Sequence, residues 1–166
     1  YFYSFRNFGH SLIMAQFAEI NSDNEVIRVI EVDDNDVANN GGDASTEAAT
    51  FVGSKFKLSS INNSWVQSSP TGSFRQRPAS VGGSYDATKN VFISIRPYNS
   101  WSLNSDNNWV APVTYSNTDY SPAEGVDGIH RITWDEVNQK WTAFAIEGGD
   151  TTNLEWNTET SAWVVV

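Results

Sequence analysis

The stretch ITWDEVNQKWTAF, residues 132–144, places two tryptophans seven positions apart around a polar insert. If the insert turns through a four-residue loop, Asp135 and Lys140 face each other, and Trp134 lies directly opposite Trp141. Both indole rings then project from the same face of a two-stranded ribbon. The stretch therefore predicts a β-hairpin whose strands are joined by an opposed pair of tryptophans.

That design recurs in looser form along the chain. Each copy has an apolar residue, a turn rich in Asn, Asp, Ser or Thr, and a second apolar residue six or seven positions later. The six copies span residues 20–26, 58–65, 85–91, 103–109, 134–141 and 156–163. An isolated hairpin is at best marginally stable, so we expect the hairpins to pack together or on a partner chain.

The polar turns begin with a short side chain that can accept hydrogen bonds from backbone amides two residues further on. These first turn residues are Asn21, Asp86, Asn104, Asp135 and Asn157. In the copies with the shorter spacing, a three-residue loop needs its last residue in the left-handed region. Asn24 and Asn107 suit that position, and Lys89 suits it less well.

One segment departs from the hairpin pattern. The stretch DASTEAATFVGSKFK has the spacing of a short amphipathic helix, with Asp43 and Ser45 as candidate N-caps. Its apolar positions are Ala48, Phe51 or Val52, and Phe56. The sequence thus predicts a mainly β protein of consecutive antiparallel β-hairpins, in small sheets or a meander, with one short α-helix around residues 45–57.

Two polar segments without a helical period mark the domain organisation. Residues 32–43 are predicted to form a loop, and residues 68–83 a second loop with a short strand around Phe74. The second loop divides an N-terminal hairpin, helix and strand unit, residues 14–70, from a C-terminal β-hairpin array, residues 71–166.

The stretch YFYSFRNFGHSLI, residues 1–13, precedes Met14, the only methionine. It lacks the apolar segment and the small-residue cleavage site of a secretory signal. We expect residues 1–13 to be a leader, translated from sequence upstream of the start codon, that takes no part in the fold. The alternative is a genuine arm that docks on a neighbour through its aromatic rings.

Composition excludes several classes of function. The formal charge of −10 repels nucleic-acid phosphates and anionic lipid, so neither nucleic acid nor a membrane is an expected partner. The chain has no cysteine, which removes disulfides, thiolate catalysis and cysteine-ligated zinc.

One cluster has the residue types of an acid-base site. His130 lies in GVDGIHRITWDE, near Asp127, Asp135 and Glu136 in the sequence. A general base needs a hydrogen-bond geometry that sequence spacing alone does not supply. We therefore assign no catalytic residue and predict that the protein is not an enzyme.

Two runs of oxygen-bearing side chains resemble calcium ligands, DDND at residues 33–36 and NSDNN at residues 104–108. Neither follows the twelve-residue calcium loop with its central glycine and terminal glutamate. Turn formation explains both runs better, so no metal or cofactor is predicted.

Four basic residues lie in one region of an otherwise acidic chain, namely Lys55, Lys57, Arg75 and Arg77. One interpretation is a solvated face that balances the local charge. The other is a docking patch for an acidic partner subunit.

The tryptophans also allow two interpretations. Exposed Trp and Tyr rings stack on sugars, and a surface of Tyr98, Trp101 and Trp109 would suit a carbohydrate-binding or host-receptor-binding module. Against this, large opposed rings are what thin hairpins need in order to bury apolar area. Trp101 is the least committed ring, because it lies outside the paired positions.

The order of the segments resembles a family of small virion proteins encoded by marine tailed phages, above all cyanophages. The resemblance is carried by MAQFAEINSDNEVIRVIEV at the start, by SWVQSS at residues 64–69, and by the YD, VFI, PYNSWSL and WVAP segments within residues 73–113. The chain departs from the family at SIRP, where members often have a Pro-Pro-Lys-Pro-like stretch, and at the EGGDTTN spacer between its two terminal Trp hairpins.

The resemblance implies a structural or virion-associated protein of all-β character and carries over no catalytic residue. We therefore expect an accessory structural protein of the virion, assembled in the host cytoplasm, whose partners are other virion proteins or further copies of itself. A module that binds a host surface glycan is the alternative.

Overall fold

The computed structural model describes residues 14–56, 63–115, 126–147 and 149–166; of the side chains in these ranges, those of residues 126–128, 130 and 147 are not described. The predicted leader, residues 1–13, lies outside the described residues. The fold is mainly β, with several small antiparallel sheets, so the predicted fold class is confirmed. The chain forms two compact units, the first ending at Ile95 and the second running from Arg96 to Val166.

The described residues of the first unit contain five strands and two helices. In chain order these are β1 (Met14–Ile20), β2 (Val26–Asp33), α1 (Asp34–Asn39), α2 (Thr46–Phe56), β3 (Ser64–Ser68), β4 (Ser84–Asp86) and β5 (Val91–Ile93). The second unit contains β6 (Ser102–Leu103), β7 (Trp109–Val110), β8 (Val126–Asp135), β9 (Lys140–Glu147), β10 (Asp150–Asn157) and β11 (Ala162–Val165).

In the first unit, β1 is the centre of a three-stranded antiparallel sheet of order β2-β1-β3. One face of β1 packs under the helices, where Phe17 contacts a cluster that includes Val52 and Trp65. The other face buries Ala18 against Phe92 of the β4–β5 hairpin. Because β1 is covered on both faces, its sequence is more continuously apolar than that of a half-exposed strand.

The prediction of a single helix is wrong, because residues 32–43, predicted to be a loop, contain α1. The Asp33 carboxylate accepts a hydrogen bond from the Asn35 amide and so caps the helix, and Val37 is buried beneath it. A helix of six residues is too short to show a periodic apolar pattern in the sequence.

The predicted helix is present as α2, and Ser45 is its cap, since the Ser45 hydroxyl accepts the Ala48 amide at 3.0 Å. Gly53 interrupts the helical pattern for a packing reason. A Cβ at that position would lie 3.1 Å from Cδ1 of Trp65, so glycine permits the close approach of helix and sheet. Phe56, predicted to lie on the apolar face, is exposed.

The first unit extends beyond the boundary drawn at residue 70 from the sequence. The β4–β5 hairpin packs on the sheet, and Val26 and Gly83 are joined by a backbone hydrogen bond of 2.8 Å. No strand forms around Phe74, because Arg75 and Gln76 both have positive φ angles, which a strand does not accommodate.

In the second unit, four antiparallel strands form a meander of order β11-β10-β9-β8, and β6 pairs with β7. Trp134 is paired with Trp141 and Trp156 with Trp163, as the spacing predicts. The buried residues of this unit form one cluster in which tryptophan, alanine and Leu154 predominate.

The turns confirm the predicted chemistry at all five first positions. In the four-residue loops, one side-chain oxygen accepts two successive amides, as Asn157 does from Glu159 and Thr160. In the three-residue loops, the Asn side chain accepts the amides two and four residues on, as Asn104 does from Asp106 and Asn108. The remaining first positions, Asn21, Asp86 and Asp135, follow the same two patterns.

One register differs from the prediction. Asp86, not Tyr85, is paired with Val91, so this hairpin has a four-residue loop and Asn90 occupies the left-handed position expected of Lys89. Asparagine adopts that conformation more readily than lysine. Asn24 and Asn107 are left-handed, as predicted.

Candidate functional site

Seven aromatic rings of the second unit contact one another in a continuous series, here called the aromatic row. Its members are Tyr98, Trp101, Tyr115, Trp134, Trp141, Trp156 and Trp163. The two hairpin pairs are edge-to-face, with ring centroids 5.2 Å apart for Trp134 and Trp141 and 5.6 Å apart for Trp156 and Trp163. Such contacts stabilise by about 0.5–1.5 kcal/mol each beyond the area they bury.

Tyr115 connects the two hairpin pairs. Its ring centroid lies 4.6 Å from that of Trp141 and 5.9 Å from that of Trp163. The indole N–H of Trp141 donates to the carbonyl of Val113 at 2.7 Å, which fixes the segment that carries Tyr115. The aromatic row therefore forms the core of a unit whose main sheet is a single layer.

The three residues predicted to stack on sugars do not share one flat surface. Trp101 lies in the aromatic row, 5.8 Å from Trp141, and its ring is tilted by 40° from that of Tyr98. Trp109 lies outside the row, and the guanidinium of Arg96 covers its ring at 5.4 Å. Trp101 thus has structural contacts that its position outside the pairs did not indicate.

The segment that carries Tyr98 and Trp101 is anchored on the first Trp hairpin. Glu136 accepts the Ser100 amide at 2.8 Å, the Ser100 hydroxyl at 2.6 Å and the Trp134 indole N–H at 2.9 Å. The hydrogen bond from the Ser100 hydroxyl lowers the pKa of the Glu136 carboxyl. Arg96 closes the segment by donating to the carbonyls of Asn99 and Trp101.

The carboxylates weighed as an acid-base pair are thus both engaged in structure. The side chain of Asn138 donates to Asp135 and lowers the pKa of its carboxyl, while Glu136 holds Ser100. The backbone of His130 is paired with Phe144, and the His130 side chain lies outside the described residues.

The predicted docking patch is dispersed in the described part of the first unit. Lys55 is exposed in the last turn of α2, with its ammonium 5.5 Å from the Phe51 ring centroid. Arg75 donates to the carbonyl of Ala44, before the start of the same helix. The 11 residues of α2 extend over about 16 Å, which separates these two cations. Lys57 lies outside the described residues.

Arg75 acts within the fold. Its guanidinium donates to the carbonyl of Gln67 at 2.8 Å and to the side chain of Asn90 at 2.9 Å, and it lies 5.4 Å from the ring centroid of Phe74. These contacts tie β3 to the β4–β5 hairpin. Arg77 donates to the Ser94 hydroxyl at 3.4 Å.

The segment SWVQSS places polar side chains in the core of the first unit. Gln67 binds the backbone amide of Ala44 and the side chain of Asp43, and Ser68 accepts the Ala79 amide at 2.7 Å. The side chains of Gln67 and Ser68 are buried, so they hold two loops against the sheet. In this segment, which carries part of the resemblance, the polar residues therefore have a structural role.

Sequence reasoning missed a buried ion pair. Glu19 is only 3% exposed, and its carboxylate lies 2.7 Å from the Arg28 guanidinium and 3.0 Å from the Asn63 amide nitrogen. Arg28 also covers the ring of Trp65 at 5.0 Å. The available signal was a charge at an inward position of an otherwise apolar β1.

The two edges of the C-terminal sheet differ. Along β8 the register shifts twice, and Arg131 has a φ of 46°, so this edge is interrupted. Among the described residues, β11 pairs only with β10, with an unbroken register. Its other edge is open, and Val164 and Val165 are 37% and 65% exposed.

A cleft of about 470 Å³ lies at the end of the second Trp hairpin. Its lining includes the rings of Tyr115 and Trp156 and the hydroxyl-bearing residues Thr114, Thr158 and Ser161. The left-handed φ of 51° at Ser161 belongs to the turn, because Gln139 has the same conformation at the last position of the first Trp hairpin loop.

In the part of the chain that the structure describes, no group of three or more His, Asp or Glu side chains is placed to hold a metal ion. The oxygen-rich runs at residues 33–36 and 104–108 supply a helix cap and a turn. None of the described helices is long and apolar enough to span a membrane.

The chain was compared with protein-family models, curated proteins and solved structures, and none of them matches it significantly. Function is therefore inferred from the contacts, exposure and charge of the chain's own residues.

Proposed function

We propose that the protein is an accessory structural protein of a marine bacteriophage virion, in the head, neck, tail or fibre, and that it acts through protein-protein contacts. The setting follows from the resemblance of residues 73–113 to small proteins of marine tailed phages. The partners are other virion proteins, including further copies of the chain.

One observation supports this role most directly, the open apolar edge of β11. An edge strand presents a row of unpaired N–H and C=O groups that accepts a strand from another chain. Soluble proteins commonly block such edges with lysine, proline or a bulge, and the described residues of β11 contain none of these. The second unit thus presents a rigid strand suited to assembly.

The rest of the unit supports the same role. Five turns of the chain are fixed by side-chain hydrogen bonds, and two Trp pairs join the strands of the C-terminal hairpins. Rigid elements lose little conformational entropy when they assemble, so they favour stable contacts.

Mass spectrometry of purified phage particles and of infected-cell cytosol tests the proposal. We expect the chain at constant stoichiometry in particles that have passed through a density gradient and a high-salt wash. Abundance in the cytosol together with absence from washed particles would contradict it. A non-structural phage protein of similar abundance is the control for carry-over.

A second candidate function is binding of a host surface glycan, and the cleft beside Tyr115 is the observation that favours it. Sugars bind where an aromatic ring lies next to hydroxyl groups, and Thr158 and Ser161 are exposed at the cleft. A glycan array with the purified protein is the test, with Thr158→Ala expected to weaken any specific signal.

A matched variant separates the two surfaces that could bind a sugar. Trp109→Ala removes a ring of the surface predicted from the sequence and leaves the cleft intact. Loss of glycan binding in Trp109→Ala but not in Thr158→Ala would assign the sugar to the predicted surface. Absence of binding to any glycan would remove this second function.

A further inference from the structure

The hydrogen-bond pattern of the last hairpin determines which backbone groups of β11 face outward. The amide of Val166 donates to the carbonyl of Asn153 at 3.1 Å. Antiparallel pairs alternate between hydrogen-bonded and non-hydrogen-bonded, so Val164 also faces β10 with its N–H and C=O. The N–H and C=O groups of Trp163 and Val165 therefore point to the open edge.

The side chains of this edge match a copy of themselves. None of residues 162–166 carries a charged side chain, so a second copy brings no like charges into opposition along the ladder. The nearest carboxylate on the paired strand, that of Glu155, forms an ion pair with Lys140. Pairing would cover Val164 and Val165, which are apolar and exposed.

We propose that two copies of the chain pair through β11, antiparallel, about a two-fold axis at Val164. In this register Trp163 lies opposite the partner's Val165, Val164 lies opposite the partner's Val164, and Ala162 lies opposite the partner's Val166. It is the register in which both outward-facing residues of each strand are hydrogen-bonded to both of the other, with four N–H···O bonds in total.

The pairing joins two four-stranded sheets into one sheet of eight strands. Trp163, at the end of the aromatic row, then contacts the partner's Val165, so the apolar face continues across the axis. Since β8, the other edge, is interrupted by two register shifts, assembly stops at a closed dimer and does not continue into a fibre. This inference rests on the proposed structural function and specifies how the subunits of that structure associate.

The first test uses proline to remove outward N–H groups. In Val165→Pro the lost N–H faces the open edge, so the β10–β11 pairing keeps its hydrogen bonds. The dimer loses two of its four bonds, and we expect the dimer dissociation constant from sedimentation velocity to rise about tenfold to a hundredfold. Val137→Pro, in the exposed turn of the first Trp hairpin, is the control.

The second test uses the absence of cysteine from the chain. Val164→Cys places two thiols across the axis in a non-hydrogen-bonded pair, where the Cα atoms are about 4.5 Å apart and a disulfide fits. We expect a covalent dimer under mild oxidation. In Val166→Cys the two thiols lie about 14 Å apart along the strands, so no disulfide is expected.

A wild-type chain that stays monomeric at high concentration would overturn the pairing. A dimer that is unchanged in Val165→Pro, or that crosslinks in Val166→Cys as readily as in Val164→Cys, would overturn the register. These results are independent of the particle analysis: a monomer found in washed particles leaves the structural function standing, and a dimer absent from particles removes that function alone.

Discussion

The two units form their cores in different ways. In the first unit, β1 lies between two helices on one face and a hairpin on the other, and a buried ion pair of Glu19 and Arg28 lies within this arrangement. In the second unit, the main sheet is a single layer, and the aromatic row covers its buried face. A thin sheet can thus obtain a core from large rings where no second layer is present.

The two ways of burying apolar area have different consequences at the surface. The first unit buries its central strand on both faces. The second unit ends in a regular strand, β11, whose outer edge is unpaired among the described residues. A core of rings on one face does nothing to block a sheet edge. The second unit is therefore the one suited to adding a strand from another chain.

The largest expected effect in this comparison is the loss of a ring from the aromatic row. Trp134 is buried, contacts Trp101 and Trp141, and donates to Glu136. We expect Trp134→Ala to lower the free energy of unfolding of the second unit by about 3–5 kcal/mol. Urea denaturation followed by fluorescence measures this, since the second unit holds six of the seven tryptophans.

Trp109→Ala is the control for that loss. Trp109 is partly exposed and lies outside the aromatic row, so the same substitution is expected to cost less there. Equal losses at the two positions would show that the row is no more important to the second unit than any other tryptophan.

The second effect concerns the polar part of the first core. Glu19→Gln removes a charge beside Arg28, whose side chain is 34% exposed and so keeps some hydration. We expect a loss of about 2–3 kcal/mol, below the full cost of breaking a buried pair. Hydrogen exchange of the β1 amides locates the effect in the first unit.

Glu31→Gln on β2 is the matched control for the ion pair. Glu31 is exposed, and a surface substitution of this kind changes stability by less than about 0.5 kcal/mol. If Glu19→Gln were as mild as Glu31→Gln, the ion pair would contribute nothing to the core.

The residues that were predicted correctly are those whose partners lie close in sequence. The spacing of Trp134 and Trp141 determined their pairing, and the Asn and Asp residues that begin the turns bind amides two to four residues away. The contacts missed are distant: Glu19 binds Asn63, and Trp101 packs on Trp134. No local pattern encodes such contacts, because they arise only when separate elements pack.

The same reasoning explains the failures at α1 and Arg75. A six-residue helix needs one cap and one buried residue, Asp33 and Val37, and neither produces a periodic signal. Arg75 was considered as a docking residue because only its charge was visible. Its donors instead satisfy backbone carbonyls brought near by folding.

A smaller effect is expected at the turn of the last hairpin. Asn157→Ala removes the acceptor of two backbone amides, those of Glu159 and Thr160, and should destabilise the second unit by about 0.5–1.5 kcal/mol. Thermal melting of the variant measures the loss. Asn157→Asp keeps an oxygen acceptor and should retain most of the stability, so a loss equal to that of Asn157→Ala would contradict the assigned role of the turn.

The smallest and most specific effect depends on pH. Because the pKa of Glu136 is lowered in the folded state, chiefly by the Ser100 hydroxyl, its ionised form stabilises the second unit above the usual carboxyl pKa of about 4.3. That contribution is lost as the pH falls through the lower pKa of the folded state. The melting temperature of Glu136→Gln should therefore fall less steeply than that of the wild type below about pH 4.3.

Asp135→Asn gives the companion measurement, since Asn138 lowers the pKa of the Asp135 carboxyl in the same direction. Asn keeps the side-chain oxygen that begins the turn, so Asp135→Asn should change the acid limb without unfolding the hairpin. Ser100→Ala should remove most of the effect at Glu136 and none of that at Asp135. If Ser100→Ala altered both, the two carboxylates would be coupled to each other and not each to its own hydrogen-bond donor.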